Sequence, residues 1–435
     1  MKHILLLLIL TLLAFAQDGL FVLCEGNYGS TNASLWSLDI NNSSASIPAF
    51  IGFDASQMGD TGQSMKIVDS KMYVCMNNSH SIEIFSVTDN ANPTHVHTID
   101  VSGVSPRYLA ILDNSAYVTS WNLNAILKIN LDNYQIEDTI NVNGMPEDIL
   151  TYDGKLYVSL TMNADWSSSN QVLELANTNG EWSTLNSYNV IPGPGRLLIH
   201  DDNLYIASTY YNDAWETFAG TSRINLLTGD VLAVDYGLSY SYGGDLAIMN
   251  NSIYRSTFTG AAMMDDSLQL VSDGEISDME NVYMFSIIND NFYFGLTDYV
   301  APDNIRVYNA DGEFINNFVV GALPTEIVLS VASNAVAATP LQAREFEING
   351  NYPNPFNPNT MIDFEVEKET RLSAHIIDIN GHIISEYPTQ TFAAGHYSIN
   401  WNGLTFDGEP LPSGIYFVKI FTNNSSDILK ITLLR

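Results

Sequence analysis

The chain is poor in positive charge. Its 435 residues include 16 lysines and arginines against 49 aspartates and glutamates, which gives a formal net charge of −33. Nucleic acids and anionic membrane surfaces are bound through basic patches, so this balance argues against both as partners. A cationic ligand, a divalent ion or simple solubility outside the cell remain compatible with it.

Long apolar runs are also scarce. Beyond residue 16 no stretch approaches the length that a membrane-spanning helix needs. The one marked run, residues 4–13, follows Lys2 and His3 and precedes Ala14-Phe15-Ala16, which fits a small-x-small cleavage site. We therefore expect residues 1–16 to be a signal peptide that is cleaved near Ala16, and the mature protein to be exported.

The sequence lacks the common catalytic motifs. It has no Gly-x-Ser-x-Gly elbow, no Cys-x-x-Cys pair and no Gly-rich phosphate loop. His95 and His97 are expected to share one face of an outer strand, but no third metal ligand accompanies them. The acidic pairs at 201–202 and 265–266 lack the alternating ligand spacing of a calcium loop. We predict no catalytic residue, no metal and no cofactor, with calcium left open.

What the chain has in abundance is one repeated hairpin. Six copies consist of a short apolar run, an Asp/Asn turn and a returning run with a central tyrosine. These tyrosines are Tyr73, Tyr117, Tyr157, Tyr205, Tyr254 and Tyr293. They are separated by 39 to 49 residues, the period of a β-propeller blade. A third and a weaker fourth strand follow in each copy, so the repeat predicts four-stranded blades.

The copies also predict how the ring closes. Seven inner strands are present against six full hairpins, and residues 18–27 align with the second strand at 153–162. We expect residues 18–27 to pair with the inner strand at 326–331, which would remove an exposed sheet edge. Residues 335–339 are a competing partner for the same pairing. The fold class is therefore all-β, with a seven-bladed β-propeller at residues 17–338.

Cysteine is nearly absent as well. Cys24 and Cys75 would lie on second strands of the last and first blades, and their alignment puts them out of register. A disulfide requires a short Cα separation, so we expect two buried free thiols, with a disulfide as the alternative.

The last fifth of the chain follows a different pattern. A linker at residues 339–349 leads into YPNPFNP at 352–358, whose three prolines cannot lie inside a sheet. Short alternating strands then follow, with Asn-Gly turns at 380–381 and 402–403 and an Asp-Gly turn at 407–408. This arrangement predicts a small immunoglobulin-like β-sandwich at residues 350–435.

The motifs of this segment resemble a known family. NYPNPFNPNT, DINGHII, AGHYSINWNG, LPSGIYFVKI and the terminal KITLLR occur in the order found in type A C-terminal sorting domains of the type IX secretion system. Lys430 and Arg435 match the basic residues of the family's terminal motif. The resemblance implies passage through the outer membrane of a Gram-negative cell, with the secretion machinery as partner and association with the outer surface through this domain. An ordinary immunoglobulin-like binding module is the alternative.

The start of the mature chain is similar to another group. FVLCEGNYGSTNASLWSLD, from Phe21, resembles the opening of surface-exposed seven-bladed propellers of the YncE-like and DUF5074 group. Cys24 and Tyr28 replace the Asn and Phe of that group's usual segment. The resemblance implies a binding scaffold at the cell surface.

The loops on one face of the propeller carry aromatic and acidic side chains. The second-to-third loops and the blade-to-blade loops emerge on the same face because strand direction alternates. The candidate ligand-binding residues are Tyr28, Trp121, Asp165, Trp166, Tyr210, Tyr211, Trp215 and Tyr299 in the loops, with Arg107, Arg196 and Asp245 around the channel. Glu147, Asp148, Tyr240 and Tyr242 are expected near the same channel. Packing between neighbouring loops is the alternative for several of these rings.

These features predict a secreted or cell-surface binding protein without catalytic activity. Its partner would be an extracellular small molecule, glycan or protein, because aromatic platforms with amide and carboxylate neighbours suit such ligands. One rival is a propeller lyase or glycosidase that uses Glu147, Asp148, Asp245 or Glu326. The other is a purely adhesive or structural surface protein.

Overall fold

The computed structural model describes residues 19–39, 44–46, 53–88, 93–239, 244–331, 346–366, 368, 370–378, 383–406, 408–421 and 426–435. The chain divides into two compact units, Met1–Ala335 and Val336–Arg435. All regular elements in the described ranges are strands, and no helix there is long and apolar enough to cross a bilayer. The predicted signal peptide and most of the predicted linker lie outside the described residues.

The first unit contains seven four-stranded antiparallel sheets, which we number as blades 1 to 7. Blade 1 is β4 (Gly62–Val68), β5 (Lys71–Met76), β6 (Ser81–Ser86) and β7 (Thr94–Asp100), and blade 2 is β8 (Pro106–Leu112), β9 (Ser115–Ser120), β10 (Ala125–Asn130) and β11 (Ile136–Asn141). Blade 3 is β12 (Met145–Tyr152), β13 (Lys155–Met162), β14 (Ser168–Thr178) and β15 (Glu181–Asn189), and blade 4 is β16 (Pro194–His200), β17 (Asn203–Tyr211), β18 (Thr217–Asn225) and β19 (Val231–Leu238). Blade 5 is β20 (Leu246–Met249), β21 (Ser252–Thr257), β22 (Gly260–Met264) and β23 (Leu270–Ile276), and blade 6 is β24 (Val282–Ile288), β25 (Asn291–Leu296), β26 (Asp303–Tyr308) and β27 (Phe314–Val320).

Blade 7 joins the two ends of this unit. Its innermost strand is β28 (Pro324–Ser330), and its other strands are β1 (Gly19–Cys24), β2 (Ser34–Asp39) and β3 (Ser44–Ser46). In the antiparallel register Val22 faces Ile327 and Leu23 faces Glu326, which is the pairing expected from the repeat. The innermost strands of successive blades contact one another in a closed cycle that ends with β28 against β4. The seven-bladed propeller predicted from the sequence is confirmed.

Most inner strands carry an irregularity near their start. The register shifts between Pro106 and Leu109 in blade 2, between Pro146 and Ile149 in blade 3 and between Pro194 and Leu197 in blade 4. A β-bulge of this kind re-aims side chains and leaves extra residues unpaired. It therefore allows two consecutive residues of an inner strand to face the central channel.

The same kind of irregularity overturns one expectation. His95 and His97 do not share a face, because a register shift in blade 1 pairs His97 with Ile84 but His95 with Phe85. The His95 ring stacks on Phe53 and its Nε2 lies 3.0 Å from Glu83, whereas the His97 ring stacks on Tyr134. The two imidazoles therefore turn away from a shared metal.

Both cysteines are free and fully buried, as expected. Burial raises the pKa of the Cys24 thiol, and it raises that of Cys75 to about 12. Each thiol therefore stays protonated and unreactive at neutral pH.

The second unit is a sandwich of two sheets. One sheet contains β29 (Phe346–Tyr352), β30 (Thr360–Val366) and β33 (Gly395–Trp401), and the other contains β31 (Thr370–Ile377), β32 (Ile383–Phe392), β34 (Gly414–Phe421) and β35 (Ser426–Leu433). The fully buried Trp401 packs on Phe356 and Tyr416 in the core between them. The Phe356 amide donates to Thr432 O over 2.9 Å, so the proline-containing loop is fastened to the last strand. The predicted small β-sandwich is confirmed.

The ring closure generates a stability prediction. Phe21 on β1 is fully buried against the apolar cluster between blades 7 and 1. Phe21→Ala should lower the free energy of unfolding by about 3–5 kcal/mol, because it removes a large buried side chain and leaves a cavity. Urea unfolding measures this change. Leu227→Ala, at a side chain that is 76% exposed, should cost less than about 0.5 kcal/mol. Equal losses in the two variants would contradict a closure that depends on packed β1.

Candidate functional site

Two rings of side chains surround the central channel, one residue apart along each inner strand. The upper ring, in blade order, is Gln63, Arg107, Glu147, Gly195, Gly244, Tyr283 and Thr325. The positions one residue further along include Ser64, Tyr108, Asp148, Arg196, Asp245 and Glu326, whereas Met284 of blade 6 packs in the apolar cluster between blades 6 and 7. The seven members of the upper ring all line one cavity of about 330 Å³, and a second cavity of about 370 Å³ lies further along the channel.

The upper cavity brings together five of the predicted ligand-binding residues. These are Arg107, Trp121, Arg196, Tyr211 and Asp245. The upper ring has only small residues on blades 4, 5 and 7, namely Gly195, Gly244 and Thr325. Its volume is within the range of small-molecule sites.

Arg107 connects three blades. Its Nε donates to Glu147 Oε2 over 2.9 Å, and its Nη1 donates to Gln63 Oε1. The guanidinium carbon lies 4.0 Å from the centre of the Trp121 ring. The indole Nε1 of Trp121 is buried and has no hydrogen-bond partner. A buried donor without an acceptor is destabilising, so this indole N–H is an unsatisfied group in a residue of the cavity lining.

Arg196 is the hub on the other side of the channel. Its Nε lies 3.2 Å from Asp245 Oδ1, its Nη2 lies 3.0 Å from Glu326 Oε1, and it stacks on the Tyr108 ring. Burial alone would lower the pKa of Arg196, but the surrounding negative charges, with Glu326 first, outweigh it and raise the pKa. The arginine therefore links blades 2, 4, 5 and 7 as a permanent cation.

The carboxylates of the channel are held by specific partners. Burial raises the pKa of Asp245 and of Glu326, and the charge of Arg196 offsets part of that rise. Asp148 accepts the backbone amides of Ile149 and Leu197 at 2.8 and 2.9 Å. These interactions place the carboxyl groups in structural roles between blades.

Two predicted tryptophans occupy the same kind of turn on neighbouring blades. The Trp166 amide donates to Asn163 O and the Trp215 amide donates to Asn212 O, both over 2.9 Å. Both residues have left-handed backbone, with φ of 69° and 61°. Their side chains are 67% and 81% exposed. The corresponding turns of blades 1 and 2 place His80 and Asn124 in this conformation, which Asn and His adopt more readily than a bulky residue does.

The remaining predicted loop residues lie outside the cavity lining. Tyr28 is 79% exposed, and Tyr299 is half-exposed with its carbonyl accepting from Asn27. Tyr210 is anchored instead, because its ring stacks on Phe218 and its hydroxyl donates to Asp235.

Asp165 caps its own turn. Its carboxylate accepts the hydroxyl and amide of Ser167, and these hydrogen bonds lower its pKa. Tyr240 and Tyr242 lie outside the described residues.

Sequence reasoning missed two tyrosines of the channel, Tyr108 and Tyr283. Tyr283 lines the upper cavity and donates its hydroxyl to Glu25 Oε2 over 2.6 Å, while Tyr108 lines both cavities. The signal was available, because Tyr283 stands at the same repeat offset as Arg107 and Glu147. Within the described ranges no cluster of three or more His, Cys, Asp or Glu side chains is arranged to hold a metal ion.

The C-terminal unit has a recognisable family. Residues 351–433 match the sequence model of the secretion system C-terminal sorting domain. This region is a type IX sorting domain. The protein is therefore secreted or displayed at the cell surface through the type IX system, whose machinery is a partner of the sorting domain.

The terminal residues of the sorting domain are fixed to its sandwich. Arg435 donates from Nη2 to Gly403 O over 2.9 Å and receives support from Ser413, whose hydroxyl accepts its amide. Lys430 is exposed on β35 opposite Phe417. The predicted sorting motif thus presents one anchored and one free basic side chain.

Solved structures resemble the propeller but not its sequence. A protein from Lactobacillus plantarum is 12% identical with a TM-score of 0.54, over 72% of this chain and 99% of that one. A proposed 6-phosphogluconolactonase from Bacteroides fragilis is 13% identical with a TM-score of 0.52, over 72% and 98% of the two chains. At such identity the likeness shows the fold alone. No curated protein matches the chain.

The buried carboxyl of Glu25 generates a pH prediction. Burial raises its pKa above the ordinary value of 4.5, and the hydrogen bond from Tyr283 offsets only part of the rise. The Glu25 carboxyl therefore holds its proton more tightly in the folded chain than in the unfolded chain. Because of this difference, the free energy of unfolding falls as the pH rises above 4.5. Glu25→Gln should remove this part of the decline, as measured by urea unfolding between pH 4.5 and about 8. Glu313→Gln, on an exposed turn, should leave the profile unchanged, and parallel profiles for all three proteins would refute the assignment.

Proposed function

We propose that the propeller is a non-catalytic binding module that holds a neutral glycan chain across its upper face. The observation that carries this proposal is the pair of exposed indoles, Trp166 and Trp215, in strained and equivalent turns on blades 3 and 4. A bulky residue in left-handed backbone costs about 1–3 kcal/mol and persists where the structure over-determines it. Both indoles remain mostly exposed, and this exposure supports a role in contact with something outside the chain.

The chemistry of the two turns fits sugar rings. Flat aromatic surfaces pack against the apolar faces of sugars, and carboxylates or amides nearby accept and donate to hydroxyls. Asp213 and Glu216 flank Trp215, and Asp165 precedes Trp166. The chain's net charge of −33 disfavours acidic polymers, which leaves neutral glycans as the better match.

The upper cavity supplies a second contact beside these turns. Tyr211, whose ring centre lies 6.1 Å from that of Trp215, also lines the cavity near Gly195 and Gly244. A ligand that stacks on Trp215 would therefore extend toward the open side of the channel. The turns are fixed by backbone hydrogen bonds in a closed ring, so little conformational entropy is lost on binding.

The non-catalytic part of the proposal is supported by the state of the channel carboxylates. Glu147 is paired with Arg107, and Asp245 and Glu326 are both paired with Arg196. Asp148 has both oxygens on backbone amides. A general acid or base needs a free lone pair or proton directed at a substrate, and these four groups are committed to the scaffold.

The test separates binding from stability. Trp166→Asn combined with Trp215→Asn should raise the free energy of unfolding by about 1 kcal/mol per site, since Asn tolerates left-handed backbone. The same variant should lose at least about tenfold in affinity for neutral polysaccharides, because each indole contributes on the order of 1 kcal/mol of stacking. Affinity electrophoresis in gels that contain xylan, β-glucan or mannan measures the second effect.

The control lies on the opposite face. Leu227 is 76% exposed in the third-to-fourth loop of blade 4, and Leu227→Asn should change neither glycan retention nor the choice of glycan. If the wild-type protein is not retarded by any neutral polysaccharide, or if the double variant is retarded as strongly as wild type, the proposal fails.

A further inference from the structure

The seam between blades 4 and 5 differs from the rest of the ring. The described residues form a buried apolar cluster in each of the other six seams, from blades 7 and 1 around to blades 6 and 7. No such cluster lies between blades 4 and 5 among the described residues. A seam between sheets that is not filled with apolar side chains gives up part of the main stabilising force of folding.

The centre of this seam is occupied by an arginine. The second strands of the other blades place an apolar residue opposite the same position of the inner strand: Val22, Val74, Val118, Val158, Ile206 and Phe294. In blade 5 that residue is Arg255, which faces Leu246 and is only 2% exposed. Blade 5 therefore has a buried arginine at a position where the other six blades have an apolar core residue.

The Arg255 guanidinium makes few of the hydrogen bonds that it could make in the folded chain. Its Nη2 donates to Ser208 O over 3.2 Å, and its guanidinium carbon lies 5.7 Å from the Tyr236 ring. Its Nη1 is buried without a hydrogen-bond partner. No carboxylate in the described part of the chain lies within ion-pair distance of it, and burial lowers its pKa. An unpaired buried charge costs several kcal/mol unless something compensates it.

The nearest acid is already committed elsewhere. The two oxygens of Asp245 face Arg196 Nε at 3.2 Å and the Phe285 amide at 2.9 Å. Its attraction to Arg255 acts only at longer range. The described residues therefore leave the positive charge of the seam without a paired carboxylate.

Further unused donors face the same seam. The hydroxyls of Thr209 on β17 and Thr257 on β21 are buried and have no partner. Thr257 shares a strand face with Arg255, and Thr209 lies on the blade 4 side next to Ser208. Buried polar groups in native proteins are nearly always hydrogen-bonded, so three orphans in one seam indicate a missing partner.

The seam adjoins the upper cavity. Thr209 and Gly244 both line that cavity. A Cβ built on Gly244 would lie 2.7 Å from Arg255 Nη1, so the backbone of this cavity-lining glycine packs directly against the guanidinium. The φ of Gly244 is not in the left-handed region, so the glycine is required here by the close approach of the guanidinium.

We propose that the seam between blades 4 and 5 is a carboxylate-binding subsite, in which Arg255 Nη1 and the Thr209 and Thr257 hydroxyls donate to an anionic oxygen that enters from the upper cavity. Arginine and hydroxyl donors are the usual partners of a carboxylate in a low-dielectric site. The subsite does not depend on Trp166 or Trp215, so it stands or fails separately from glycan binding.

The test uses acetate as the probe and the full mature chain. Thermal unfolding is followed in sodium acetate and in sodium chloride of equal ionic strength. At about ten times its dissociation constant, acetate should raise the Tm of wild type by about 2–4 °C over chloride. Arg255→Ile, which installs the residue of blade 4, should abolish that difference whatever its own Tm. Arg306→Ile, which removes a positive charge from blade 6, should keep it.

A second variant keeps the proposal testable if Arg255→Ile does not fold. Thr209→Val preserves shape and removes one donor, so it should weaken acetate binding by about fivefold, the worth of one hydrogen bond. Isothermal titration with acetate gives that ratio. Three results would each overturn the carboxylate subsite. They are the absence of a Tm rise in acetate over chloride for wild type, a Tm rise as large in Arg255→Ile as in wild type, and binding of acetate by Thr209→Val as tight as that by wild type.

Discussion

The antiparallel pairing of β1 with β28 is the constraint on which the propeller depends. It joins residues about three hundred positions apart and converts a row of blades with two free edges into a ring without any. Only in a closed ring do the starts of the seven inner strands point at a common axis. The channel, its two rings of side chains and the shared face of the loops all follow from that one pairing.

The bulges at the starts of the inner strands decide what the channel contains. On most blades they turn two successive residues inward, so charged and polar side chains share a narrow space and several acids come close together. The chain has few cations, yet Arg107 and Arg196 both stand at these positions and each bridges three or more blades. Ion pairs that cross seams are also rigid spacers, and this is how the ring fixes the geometry of its upper cavity.

Much of this architecture was predictable because it is repeated. The spacing of the tyrosines predicted the four-stranded blades, and the seventh inner strand, which has no second strand after it, predicted how the ring closes. Both predictions rest on local patterns that recur along the chain with turns of known chemistry. The exceptions to the repeat were not predictable in the same way. The separation of His95 from His97 depends on a bulge that no sequence period reveals. Arg255 lies within a copy of the repeated hairpin, but the sequence does not reveal that it lacks an ion pair among the described residues. That depends on which other groups the neighbouring carboxylates bind in the folded chain. The ligand-binding roles of Trp166 and Trp215 stay predictions, because exposure and strain indicate a use without naming the ligand.

Several departures from local rules lie on blades 3 to 5, and others lie elsewhere: Tyr134 of blade 2 and Tyr299 of blade 6 have left-handed backbone, and the Trp121 indole of blade 2 is an unsatisfied donor. Left-handed tryptophans occur on blades 3 and 4, the polar seam lies between blades 4 and 5, and the upper ring is reduced to glycine at Gly195 and Gly244. In a well-folded chain such violations are expected where function opposes stability. Blades 1, 2 and 6 instead place the larger side chains of Gln63, Arg107 and Tyr283 at the same positions of the cavity lining. The side of the ring around blades 4 and 5 therefore combines an exposed indole, a glycine-lined part of the cavity and a buried positive charge, and the two proposed interactions use different parts of it.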